Sequence, residues 1–197
     1  MGTRLNLPDS DIIYFPNFLE KENADAYLDT LLENLNWQQH SIKIFGKTIP
    51  QPRLTALYAE TETPYTYSGL TLLPKKFTCE LLELKKELKK YTPTHFTHCL
   101  ANLYRNGKDS MGLHSDNEKE LGKDPVIASV SLGATRKFIL KHRHDKDQKH
   151  EIALEHGSLL LMMGATQHFW KHELPKTKLV TEPRINLTFR KIISSVK

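Results

Sequence analysis

The chain has 197 residues, a formal net charge of +5 and 39% hydrophobic side chains. That length fits one large domain or a core with a lid, and the apolar fraction is enough for a packed core. No window approaches the roughly 18 to 20 apolar residues of a membrane span. The N-terminal MGTRLNLPDSD has no apolar signal centre, so the protein is expected not to be secreted, cytoplasmic in a bacterium and nuclear in a eukaryote. Cys79 and Cys99 form no CxxC pair, which argues for two reduced, buried thiols and against a zinc site or disulfide framework. The basic balance suits an anionic partner such as nucleic acid. Half of the run Lys75, Lys76, Lys85, Lys86, Lys89 and Lys90, however, reads as a solvated helix face.

Residues 20–36 read as a helix, because Ala24, Tyr27, Leu28, Leu31, Leu32 and Leu35 form one stripe at three- and four-residue steps. Ser41 to Lys47 alternates and then turns at Gly46, the pattern of a short hairpin. A second helix is expected over 77–90, with Leu81, Leu82, Leu84 and Leu88 inward and lysines outward, ending before Pro93. Candidate strands follow at 96–105, 126–132, 136–142, 150–154, 157–163, 167–172 and 184–193. So many short strands imply a jelly roll or related sandwich. The expected class is α+β and mostly β, with helices and a hairpin over 1–95 packed on a β core over 96–197 as one unit.

His114-Ser115-Asp116 carries the first chemical signal. In an extended segment residues i and i+2 share a face, so an imidazole and a carboxylate can converge on one ion. Two histidines and one carboxylate leave open positions on a metal, as non-haem iron(II) oxygenases require. A later strand offers the second histidine, as His168 or His172, which four-residue spacing places on the same face. In Arg184-Ile-Asn-Leu-Thr-Phe-Arg190, Arg184, Asn186, Thr188 and Arg190 share one face. Inward arginines need anions, and a dicarboxylate suits the guanidinium fork. His142, Arg143, His144, Asp145, Asp147 and His150 imitate a metal cluster but read as a polar hairpin tip.

Asn102-Leu-Tyr104, His114-Ser-Asp116-Asn-Glu118, Trp170-Lys-His172 and Arg184-Ile-Asn186-Leu-Thr-Phe-Arg190 together resemble the AlkB family of nucleic-acid dealkylating dioxygenases. Order and spacing match from about residue 96 onward, and more loosely from about residue 41. The resemblance implies a double-stranded β-helix (jelly-roll) core under an N-terminal nucleotide-recognition lid. It implies iron(II) held by His114, Asp116 and His172, with 2-oxoglutarate and O2 as co-substrates. Asn102, Tyr104, Arg184, Asn186 and Arg190 would bind 2-oxoglutarate, and spacing does not say which arginine meets which carboxylate.

The resemblance also places Glu118 against the damaged base, Tyr67 in the stack on the flipped base, and Tyr65 and Ser68 in the pocket wall. A flipped base needs such flat or apolar neighbours. Ile44-Phe45-Gly46 would wedge into the gap left in a duplex, with Arg53 and Lys47 meeting phosphates. The expected activity is oxidative dealkylation of 1-methyladenine- or 3-methylcytosine-type bases by a monomer. The substrate is DNA, duplex favoured, or RNA. The rivals are the same iron chemistry on a protein or small molecule, and a non-enzymatic nucleic-acid binder.

Overall fold

The computed structural model describes residues 1–44, 47–61, 65–67 and 70–193, with the backbone alone for residues 42–44, 47, 65–67, 70 and 71. The elements run β1 (Thr3–Arg4), β2 (Asp11–Phe15), α1 (Lys21–Asn34), β3 (Ser41–Ile44), β4 (Lys47–Pro50), β5 (Leu54–Ala59), β6 (Tyr65–Tyr67), β7 (Leu70–Leu72), β8 (Lys75–Lys76) and α2 (Cys79–Leu88). They continue β9 (His98–Tyr104), β10 (Met111–His114), a 3-10 turn over Lys119–Leu121, β11 (Ile127–Gly133), β12 (Arg136–His142), β13 (Lys149–Leu154), β14 (Ser158–Met163), α3 (Thr166–Phe169), β15 (Trp170–Leu174) and β16 (Arg184–Arg190).

Eight strands form one sheet in the order β1-β2-β14-β11-β16-β9-β5-β8, and four form a second in the order β10-β15-β12-β13. Apolar residues from both sheets, among them Tyr104, Ile127, Leu160, Phe138, Leu140 and Trp170, meet in one core. This is the expected double-stranded β-helix. The pairs β3–β4 and β6–β7 stand apart as two-stranded sheets. The expected hairpin is present, with Ile44 opposite Lys47; its Phe45-Gly46 tip, like Ser68, lies outside the described residues.

β16 shows how the two faces of the large sheet divide the labour. Ile185, Leu187 and Phe189 pack into the core beneath α1 and α2, while Arg184, Asn186, Thr188 and Arg190 line the cavity between the sheets. Each apolar side chain buried this way contributes roughly 1.5–3 kcal/mol. Gly133, at φ +85°, closes β11 where an added Cβ would lie 2.4 Å from the Pro183 carbonyl oxygen, so the chain can reach β16 only with a bare residue there.

Helix α1 buries Ala24, Leu31 and Leu35, with Tyr27, Leu28 and Leu32 packed beside them. In α2 the Thr78 hydroxyl caps the first turn by accepting from the Leu81 N–H, worth about 1 kcal/mol. Two expectations on α2 need correction. Leu82 is exposed, because one residue turns about 100° away from the Leu81–Leu84–Leu88 stripe. Lys85 lies on that stripe and is buried, where it pairs with Glu60 and sits 5.2 Å over the Phe77 ring. Both thiols are free, but Cys79 is exposed as the first residue of α2 and Cys99 alone is buried.

The strands of the first 95 residues were the hardest to foresee. β2 pairs with β14 and β5 with β9, so the N-terminal segment extends the large sheet itself.

Candidate metal and co-substrate site

His114 ends β10 and His172 sits opposite it on β15. The segment after His114 carries Asp116 back toward both. Ligand atoms of His114, Asp116 and His172 lie within 4.8 Å of one another, the one such group among the described residues. The imidazoles meet edge to face with centroids 4.3 Å apart, and Phe138 stacks on His172 at 5.2 Å.

Protonation suits metal binding. Burial drives the His172 imidazole down to about 3, with His114 lowering it further. Burial likewise lowers His114. Both rings therefore present lone pairs at neutral pH. The His114 Nδ1 lies 2.8 Å from the Gly112 carbonyl oxygen, so Nδ1 carries the proton and Nε2 is left for an ion. Burial pushes the Asp116 carboxyl up, but Arg190 and the two histidines outweigh it and hold it below the usual carboxylate range. Arg190 Nη2 donates to Asp116 Oδ1 at 2.7 Å, and the Asp116 N–H donates to Gln167 Oε1 at 2.9 Å.

The rival His168 is excluded by local conformation. Residues 166–169 form a helical turn instead of the expected strand, which breaks the same-face relation between positions 168 and 172. His168 is exposed and bonds Asp124 at 2.9 Å. The polar turn 142–148 holds no metal group either, since His142 Nδ1 accepts from the backbone N–H groups of His144 and Asp145.

Beyond the triad the cavity encloses about 490 Å3, part of it open to solvent. Asn102, Tyr104, Arg184, Asn186 and Arg190 all line it. Arg184 is the unusual member. It is 2% exposed, with one hydrogen bond to the Ser131 hydroxyl at 2.9 Å and the Tyr104 ring 5.4 Å away. No carboxylate of the chain pairs with it, and burial lowers its pKa to about 10. An uncompensated buried guanidinium is costly, so the cavity has the chemistry of an anion site.

Asn102 is oriented for the same purpose. Its Oδ1 accepts from Arg53 Nε at 2.9 Å, which leaves its amide N–H groups for the cavity. Arg53 is therefore a correction: at 4% exposed it props Asn102 from inside and does not reach a phosphate. Asn186 is a second one. Its amide donates to the Ser129 hydroxyl and the Val130 carbonyl, and its oxygen accepts from Thr188, so its donors are already engaged. Sequence reasoning missed Gln167, Ser129, Ser131 and Phe138. Ser129 and Ser131 alternate on β11 opposite Thr188 and Asn186, a polar alternation that was the available signal.

Glu118 lies two residues past Asp116 and is half-buried. Its Oε2 is buried without a hydrogen-bond partner, and burial raises its pKa. Tyr65 and Tyr67 lie on β6, of which the backbone alone is described, and Ile44 closes β3.

A two-histidine, one-carboxylate set beside a buried cationic cavity fits iron(II) and a dicarboxylate co-substrate, and the family assignment agrees. The sequence profile of the 2OG-Fe(II) oxygenase superfamily matches residues 11–190, and the chain belongs to that family. It is thus an iron(II)- and 2-oxoglutarate-dependent dioxygenase. Within the family it is 41% identical over 192 residues to Alpha-ketoglutarate-dependent dioxygenase alkB homolog 3 of Homo sapiens, covering 93% of this chain and 66% of that one. It is 40% identical over 163 residues to DNA oxidative demethylase ALKBH2 of Mus musculus, covering 79% of this chain and 68% of that one. The chain thus spans slightly under two thirds of the length of the alkB homolog 3 proteins it matches. The OsALKBH1 structure shares the fold, with TM-score 0.66 and 16% identity over 97% of this chain and all of that one. Among the described residues no helix is long and apolar enough to cross a membrane.

Proposed function

We propose that this protein removes alkyl groups oxidatively from N-alkylated bases of the 1-methyladenine and 3-methylcytosine type. The substrate is DNA, duplex favoured, with RNA as a second candidate, and the protein acts as a monomer. The observation that carries the reading is Glu118, a half-buried carboxylate with an unpartnered buried oxygen two residues past a metal ligand. Such an acceptor suits an exocyclic amino group, or the positive charge that alkylation places on a ring nitrogen. Relatives named DNA oxidative demethylase point the same way.

When bound, iron(II) and 2-oxoglutarate supply the O2-dependent hydroxylation of the N-alkyl carbon, with succinate and CO2 as co-products. The chain's own side chains bind and orient. His114, Asp116 and His172 would hold the metal, and Arg190 and Gln167 fix Asp116. Arg184 takes the distal carboxylate, because Arg190 is already engaged with Asp116. Asn102 and Tyr104 donate along the co-substrate. Glu118 holds the base with its alkyl carbon toward the metal. The hydroxylated product then breaks its C–N bond, the electron pair returns to the ring nitrogen, the hydroxyl proton leaves and an aldehyde departs. In this reading Tyr67 stacks on the flipped base, Tyr65 and Ser68 shape its pocket, and Ile44, Phe45 and Gly46 fill the duplex gap.

The test is a panel of single- and double-stranded oligonucleotides, each with one 1-methyladenine or 3-methylcytosine, read by loss of one methylene in mass. Demethylation of at least one member is expected. Succinate formation without demethylation of any oligonucleotide would overturn the reading in favour of a protein or small-molecule hydroxylase.

A further inference from the structure

Resting on that reading, we propose that Arg143 binds a phosphate of the nucleic-acid substrate on the outer side of the metal triad. The chain has seven arginines. Arg4, Arg105 and Arg190 pair with carboxylates. Arg136 donates to three backbone carbonyls, and Arg53 to Asn102. Arg184 and Arg143 remain, each without a carboxylate partner among the described residues.

The strand register places these two guanidinium groups on opposite sides of the triad. Along β15, Leu174 faces Met111, His172 faces both His114 and Leu140, and Trp170 faces His142. Leu174, Met111 and Arg184 line the inner end of the cavity. Moving from Leu174 past His172 to Trp170 therefore runs from the Arg184 end, past the ligands, to the turn that carries Arg143. The inner cation is matched to the co-substrate. The outer one faces the side from which a substrate must approach, because the inner side is filled by 2-oxoglutarate.

Arg143 is held in readiness for an anion. Its backbone N–H donates to the Phe169 carbonyl at 2.7 Å. The preceding His142 lies between the Phe169 and Trp170 rings and accepts two backbone N–H groups of the turn. From this anchored base Nη2 donates to the Ser115 hydroxyl, between the two metal ligands His114 and Asp116. Its Nε is buried without a partner, and the side chain is half-buried. A half-desolvated guanidinium beside the ligand loop, with donors left over, suits a phosphodiester oxygen. A base that reaches the metal necessarily brings its own flanking phosphates to the cavity mouth.

The experiment compares the unsubstituted protein with Arg143→Gln and Ser115→Ala on a methylated oligonucleotide, and on versions with one flanking phosphate replaced by a neutral methylphosphonate. Arg143→Gln is expected to raise the oligonucleotide KM about tenfold, with the 2-oxoglutarate KM unchanged, and to reduce the salt slope of binding by about one. One methylphosphonate should cost the unsubstituted protein the same factor and cost Arg143→Gln nothing further. Ser115→Ala should lie near the unsubstituted protein, since the guanidinium survives. If Ser115→Ala matches Arg143→Gln, or if the losses from substitution and methylphosphonate multiply, Arg143 is a strut for the ligand loop and the proposal is wrong. Absence of demethylation by the unsubstituted protein would overturn the proposed function as well, so the two failures are distinguishable.

Discussion

Replacing Arg184 by Met should make the protein more stable and less active at once. The fold lowers the Arg184 pKa from 12.5 to about 10 through burial. At about 1.4 kcal/mol per unit, holding this cation without its anion costs the empty protein about 3 kcal/mol. The substitution sacrifices the hydrogen bond to Ser131 and the contact with the Tyr104 ring, together about 1 to 2 kcal/mol. A net gain of about 1 to 2 kcal/mol remains, a rise in melting temperature of roughly 2 to 8 °C for a domain of this size. The same change removes a charge-assisted contact to the co-substrate worth about 1.5 to 3 kcal/mol, so the 2-oxoglutarate KM should rise roughly 10- to 150-fold. The assay is thermal melting with and without manganese(II) and 2-oxoglutarate, beside succinate formation. The unsubstituted protein should gain stability from the ligands by mass action; Arg184→Met should start higher and gain little. A lower starting melting temperature together with an unchanged 2-oxoglutarate KM would show that the guanidinium is structural.

His172→Ala should abolish iron-dependent succinate formation, whereas His168→Ala should leave iron binding and turnover near normal; the opposite pattern in a metal titration would reverse the ligand assignment. Phe45→Ala should lower demethylation more on duplex than on single-stranded oligonucleotides, and equal loss on both would remove the wedge. Glu60→Gln probes the ion pair beneath α2. Burial pushes the Glu60 carboxyl up, but hydrogen bonds from Lys85 and His95 outweigh it and hold it below its ordinary 4.5. A lowered carboxyl contributes stability above its unfolded pKa and loses it as pH falls through the folded one. The variant should therefore be less stable at neutral pH, and denaturant melts should converge with the unsubstituted protein in acid. A constant gap down to pH 2 would mean that packing, not charge, is at stake.

Much of the site was legible before any coordinates. Strand alternation alone put Arg184, Asn186, Thr188 and Arg190 on one face, as found. His114 and Asp116 were placed together by an i, i+2 relation that needs only an extended backbone. The amphipathic stripes of α1 and α2 were also readable, because a helical period is a local property. Leu82 and Lys85 show the limit: both lie in an apolar–basic run, and the exact phase of the helix against β5 decides which is buried.

By itself, then, the sequence determined the ligand residue types, the cationic face of β16 and the succession of short strands. Periodicity and residue chemistry are carried by neighbours in the chain. The tertiary structure alone decided between His168 and His172, through a helical turn at 166–169 that local pattern reads as strand. It alone turned Arg53 inward to orient Asn102 and engaged the Asn186 donors with Ser129 and Val130. It alone showed that Arg184 and Arg143 lack counter-ions. Whether a charge is compensated depends on partners tens of residues away, and only the folded chain brings those partners close enough to meet it or leaves the place for a ligand.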